Sequence, residues 1–192
     1  MRLKSIAVFC GSNEGNKPVY GQVAQCLGRC LADNSITLIY GGAKVGLMGR
    51  VADGALDADG AVVGVIPEHL VQKEISHEGI TELKIVSTLH QRKQAMADLA
   101  DAFILLPGGV GSLEEFFEIW TWAQLGLHMK PMGILNIDGF YDELLVMCEK
   151  LVENGFVKKT HHDIIQIAEN PEELIGKLVS CKMDYVPKWM GG

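Results

Sequence analysis

At 192 residues, with 48% hydrophobic and 21% charged side chains, the chain has the make-up of one globular domain spanning residues 1–192, which excludes disordered and fibrous classes. Its formal charge of −7, from 17 basic against 24 acidic side chains, comes without any Lys/Arg run and argues against a nucleic-acid polymer as partner. No apolar stretch is long enough to span a bilayer and the N-terminus lacks the plan of a signal peptide, so the expected setting is the cytoplasm, with no membrane partner.

The first apolar run, Ser5–Phe9, passes directly into Gly11-Ser12-Asn13 and reads as a buried strand. A helix follows over Pro18–Asp33. Its Cys26 and Cys30 share a face, but the apolar residues around them favour core packing over metal ligation. The five cysteines, Cys10, Cys26, Cys30, Cys148 and Cys181, contain no C-x-x-C pair and read as reduced thiols.

A strand over Ile36–Tyr40 leads into Gly41-Gly42-Ala43-Lys44-Val45-Gly46-Leu47-Met48-Gly49 and a helix over Leu47–Asp57. In outline this is a phosphate cradle. It is not a Walker A loop, because Leu47 and Met48 stand where a lysine and a hydroxyl residue are needed, and the spacing also misses G-x-G-x-x-G. Tight strand-to-helix packing explains these glycines as well as ligand contact does.

Next come a strand over Ala61–Ile66, an irregular charged stretch Pro67–Gly79 carrying His69, Glu74 and His77, and a strand over Leu83–Ser87. The helix Gln91–Ala100 opens with His90-Gln91-Arg92-Lys93, which puts a guanidinium and an ammonium near the loop end of the sheet. Solvated Arg-Lys pairs are common on helices, so this pair alone decides little.

The segment Ala102 to Glu115, AFILLPGGVGSLEE, runs a strand (Ala102–Leu106) through Pro107-Gly108-Gly109-Val110-Gly111 into a helix over Leu113–Gly126 that opens with Glu114 and Glu115. Backbone N–H groups bare of side chains, together with the positive end of the helix, suit a phosphate. Ser112 and Glu115 also fit a capping box, with Ser112 as the cap. That reading leaves the Gly108-Gly109-x-Gly111 pattern unexplained. Farther along, Trp120-Thr121-Trp122-Ala123-Gln124-Leu125-Gly126 reads as a helix buried all round, by the core or by a second subunit, with Thr121 two turns beyond Gly111-Ser112.

A strand over Met132–Asn136, a helix over Tyr141–Asn154, a strand over Ile164–Ile167 and a helix over Pro171–Val179 complete the order. The six histidines show no metal-binding spacing, and His161-His162 would point to opposite sides of a strand. No metal and no cofactor are expected. Alternating strands and helices predict an α/β, Rossmann-like fold, a mostly parallel sheet flanked by helices on both faces. Ligands of such sheets lie beyond the carboxyl ends of the strands. That singles out the loops Cys10–Gly15, Gly41–Gly46, Pro67–Gly79 and Pro107–Ser112.

Taken together, YGGAKVGLMG, LHQRKQAM and LPGGVGSLEEFFEIWTWAQLGLHMKP resemble the Lonely Guy family of cytokinin riboside 5′-monophosphate phosphoribohydrolases, long labelled "lysine decarboxylase-like". The resemblance runs from the first strand to about Phe156. Its hallmark is an Arg-Lys pair followed by P-G-G-x-G-T-x-x-E, with Ser112 here in place of the threonine. It implies that Arg92 and Glu115 are catalytic and that Glu74, Lys93, Gly109, Val110, Gly111, Ser112 and Thr121 line the nucleotide site. Gly108 and the neighbouring loop with Gly41, Gly42 and Gly46 are expected beside the phosphate. The implied reaction releases free base and ribose 5-phosphate from an adenosine 5′-monophosphate, plain or N6-substituted, in a Rossmann-like homodimer. Two rivals remain at this stage. A pyridoxal-phosphate decarboxylase would need Lys44 or Lys93 as its Schiff base, and a non-catalytic nucleotide or cofactor carrier would use the same glycine loops without Glu115 chemistry.

Overall fold

The computed structural model describes residues 3–71 and 76–181. Seven strands, β1 (Ser5–Phe9), β2 (Thr37–Tyr40), β3 (Val62–Pro67), β4 (Glu82–Val86), β5 (Ala102–Leu105), β6 (Met132–Leu135) and β7 (Ile165–Ala168), form one sheet in the order β4-β3-β2-β1-β5-β6-β7. Every strand pair in it is parallel. The strand order reverses between β1 and β5, where Ile6 faces Ala102 and Phe9 faces Leu105. Loops leaving these two strands therefore diverge and leave a crevice between them.

The main helices are α1 (Pro18–Asp33), α2 (Gly46–Leu56), the short α3 (Glu68–Val71), α4 (Leu89–Leu99), α5 (Val110–Gln124), α6 (Asp142–Glu153), the short α7 (Lys159–His162) and α8 (Pro171–Ser180). Successive residues of a strand point to opposite faces, and each face buries its own set. Ile6 and Val8 join a core with Ala24, Leu27 and Leu31 of α1, Val51 of α2 and Leu174 of α8. Ala7 and Phe9 join the other, with Met96 of α4, Phe116 and Ile119 of α5 and Cys148 of α6. Helices thus cover both faces, as the near-continuous apolar strands require.

Three differences from the sequence reading have local causes. Helices α2, α4 and α5 start one to three residues early, at Gly46, Leu89 and Val110, because the glycine or polar residues in their first turns interrupt the apolar period that marks a helix. Pro67–Gly79 is not wholly irregular, since α3 lies within it. His161 and His162 belong to α7 and not to a strand, with His161 buried.

Candidate functional site

Three of the four loops singled out in the sequence converge at the β1/β5 crevice, tied by backbone hydrogen bonds. Gly11 N–H donates to the Pro107 carbonyl (3.1 Å) and Leu47 N–H to the Gly11 carbonyl (3.0 Å). Between them lies a cavity of about 270 Å³ whose walls include Cys10, Gly11, Ser12, Gly41, Met48, Arg92, Met96, Gly109, Val110, Gly111, Ser112 and Glu115. A second cavity of about 340 Å³ adjoins it across Gly11, Ser12 and Gly109 and is walled by Tyr20, Leu47, Pro107 and Phe140.

The cavity's candidate anion-binding end is the N-terminus of helix α5. Its N-cap is Gly109, with no side-chain cap. The first helical hydrogen bond is Leu113 N–H to the Gly109 carbonyl, 3.2 Å. The N–H groups of Val110, Gly111 and Ser112 precede it and have no carbonyl within the helix to receive them. This overturns the capping box. Ser112 is the third helical residue, buried, and Glu115 lies in the second turn. A β-carbon at Gly108 would stand 2.3 Å from Ser112 Oγ and 3.0 Å from Gly11 N, so a glycine there lets the serine hydroxyl and the β1 loop approach.

Arg92 enters the cavity from the first turn of α4, which is capped by Thr88 accepting from Gln91 N–H at 3.1 Å. Its guanidinium is buried and Nη2 donates to the Gly41 carbonyl at 3.1 Å, while Nε has no hydrogen-bond partner among the described residues. A buried orphan donor on a cation is costly without a polar ligand. Gly41 makes room for it, since a β-carbon there would fall 1.9 Å from Arg92 Nη2. Cys10 lies behind Glu115 and Arg92. Burial first, and then the Glu115 charge, hold its thiol well above the usual range against the opposing pull of Arg92, which favours the protonated form.

Other residues named in the sequence sit elsewhere. Lys93 points away from this cavity, its ammonium 2.5 Å from Glu114 Oε1 and 2.8 Å from Glu118 Oε2 on α5. Thr121 is exposed and donates to the Phe117 carbonyl, 2.8 Å, along its own helix. The α5 helix is therefore not buried all round in one chain, although Trp120 is, with Nε1 donating to the His161 carbonyl at 2.8 Å. Gly42 and Gly46, both at positive φ, shape the β2 loop. Glu74 lies outside the described residues. Cys10, Ser12, Met48 and Met96 were not singled out individually from sequence; the β1 loop marked Cys10 and Ser12, whereas the methionines look like ordinary core.

A family model described as "possible lysine decarboxylase" matches residues 48–178. Cytokinin riboside 5′-monophosphate phosphoribohydrolase LOG2 of Arabidopsis thaliana is 48% identical over 97% of this chain and 86% of its own. The chain belongs to the Lonely Guy family. Its Arabidopsis relative LOG7, a cytokinin riboside 5′-monophosphate phosphoribohydrolase, is 50% identical over 96% of this chain and 85% of its own. Among solved structures, the molybdenum cofactor carrier protein of Chlamydomonas reinhardtii superposes with a TM-score of 0.70 at 18% identity, covering 94% of this chain and 100% of that one. That likeness is one of fold.

Membership also bears on the lysine decarboxylase label. A Schiff-base lysine must reach its neutral form. Burial works to lower the Lys93 pKa, but the hydrogen bonds and charges of Glu114 and Glu118 outweigh it and the ammonium is held above its ordinary value. Lys93 is therefore not prepared for aldimine formation. Lys44 is exposed at the edge of the β2 loop. Among the described residues, no helix is long and apolar enough to cross a membrane.

Proposed function

We infer that this protein hydrolyses the N-glycosidic bond of cytokinin riboside 5′-monophosphates, giving the free base and ribose 5-phosphate. What carries the reading is one carboxylate, one buried guanidinium and the open amide end of α5 on a single cavity, in a chain 48% identical to a phosphoribohydrolase. The 5′-phosphate sits on the N–H groups of Val110, Gly111 and Ser112 and the Ser112 hydroxyl, where the helix end favours an anion. Held there, the ribose turns its anomeric carbon toward Glu115. As the C–N bond breaks, its electron pair goes to the base nitrogen and the sugar gains oxocarbenium character, which the Glu115 carboxylate stabilises. A water oriented by the same carboxylate bonds to the anomeric carbon, one of its protons passing to the base and the other staying on the new hydroxyl.

Arg92, anchored on Gly41, supplies fixed positive charge and the Nε donor to the nucleotide. Lys93 acts at one remove. Its ion pairs with Glu114 and Glu118 clamp α4 against α5 and so hold Arg92 and Glu115 in register. The working form is a cytoplasmic homodimer, with exposed Leu125, Leu127 and Met129 supplying an apolar surface for the second copy; sedimentation of the purified protein checks that state.

The activity test is product chromatography after incubation with AMP, N6-isopentenyl-AMP and adenosine. A phosphoribohydrolase releases free base from the monophosphates and little from adenosine. A carrier protein of the same fold returns the nucleotides intact, and that outcome overturns the reading.

A further inference from the structure

On the face opposite α4 and α5, α1 carries two thiols one helical turn apart, Cys26 and Cys30. The fold lays the first turn of α8 over them. Cys30 Sγ donates to Glu172 Oε1 at 3.0 Å, a contact between residues 142 apart in the chain. The two sulfurs and a Glu172 oxygen all lie within 4.8 Å of one another. Cys30 is buried, Cys26 half-buried and Glu172 exposed, so the group has a protein floor and an open approach from solvent.

We propose that Cys26, Cys30 and Glu172 form a Zn²⁺ site that pins α8 to α1, with water as the fourth ligand. Two ligands at i and i+4 on one helix, joined by a third from another element, are a recurring way of holding this ion. Zinc–sulfur bonds of about 2.3 Å and zinc–oxygen bonds of about 2.0–2.2 Å bring tetrahedral ligands closer than the present spread, within reach of small side-chain rotations. Two thiolates select a borderline-soft ion over Mg²⁺ or Ca²⁺ and balance its charge, and the single carboxylate adds an oxygen ligand that leaves the site with one net negative charge. Packing of sulfur in a core accounts for the thiols alone. A first-turn acid suits the N-terminus of α8, but neither reason accounts for the convergence of both sulfurs and a Glu172 oxygen within 4.8 Å. Binding displaces both thiol protons to the buffer as two S–Zn bonds form, with no change of oxidation state.

The site lies apart from the glycosidic cavity, so it is tested without an activity assay. The purified, reduced full chain is titrated with Co²⁺, which reports thiolate ligation by a ligand-to-metal charge-transfer band, and then with Zn²⁺ by calorimetry in two buffers of different ionisation enthalpy. We expect one ion per chain, two protons released, and displacement of Co²⁺ by Zn²⁺. Cys26→Ser and Cys30→Ser should each lower zinc affinity at least about 100-fold, since even outer-shell partners are worth 10–100-fold. Glu172→Gln should lower it about tenfold, and Cys148→Ser should leave it unchanged. Absence of the charge-transfer band in the wild-type protein overturns the proposal, whatever the variants do. So does a band of undiminished intensity in both α1 variants, each of which keeps only one of the two thiolates.

Discussion

Two glycine-rich turns look alike in sequence, each ending a strand and starting a helix, yet they do different work. Where the turn after β2 enters α2, two glycines meet backbone: a β-carbon at Gly46 would lie 2.3 Å from the Ser12 carbonyl carbon and one at Gly49 2.5 Å from the Lys44 oxygen. In the turn after β5, β-carbons at Gly109 and Gly111 would meet nothing within 4 Å, and Val110 between them is 84% exposed. Packing explains Gly46 and Gly49, while Gly41 of the same loop makes room for Arg92. Packing leaves the second set unexplained, and open space over bare backbone is what the proposed phosphate site needs.

The largest expected effect comes from the helix that the open turn launches. Glu115→Gln should keep the fold and nucleotide binding while kcat falls about 100-fold or more; near-normal turnover in a steady-state assay would detach the open turn from the chemistry. Gly41→Ala is next. It pushes the Arg92 guanidinium off its carbonyl anchor and should cost up to about 100-fold in kcat/KM with little change in thermal midpoint, since the obstructing atom is a side-chain end.

The two turns can then be compared directly by urea unfolding and kinetics. Gly46→Ala forces a residue with a β-carbon to a φ of +57° against backbone and should destabilise by about 1–3 kcal/mol. Gly111→Ala should do the reverse. At the second helical position it leaves stability unchanged or raises it by up to about 1 kcal/mol, while KM for the monophosphate rises about tenfold through crowding of the phosphate. An unaltered KM there, or a stable Gly46→Ala protein, would erase the distinction between the turns.

The strands were legible because each is a short run of β-branched or apolar residues bounded by glycine or polar turns, as in Ser5–Phe9 and Ala102–Leu105. The glycine-to-acid segment was equally readable as a strand-turn-helix, and it lines a cavity. Its details were not. Ser112 and Glu115 have the spacing of a capping box, but Gly109 takes the cap, and a glycine cap leaves no side-chain signal. Lys93 stands beside Arg92 in the chain, yet a helix turns about 100° between neighbours, so one enters the cavity while the other meets α5.

Local order was therefore written in the sequence itself: alternating elements, parallel connections and the loops where a ligand belongs all follow from hydrophobic period and turn chemistry over a few residues. Tertiary packing alone decided which distant groups meet. Arg92 finds the Gly41 carbonyl across 51 positions and Cys30 finds Glu172 across 142, because such meetings depend on how helices are laid over a common sheet, and no local pattern encodes that.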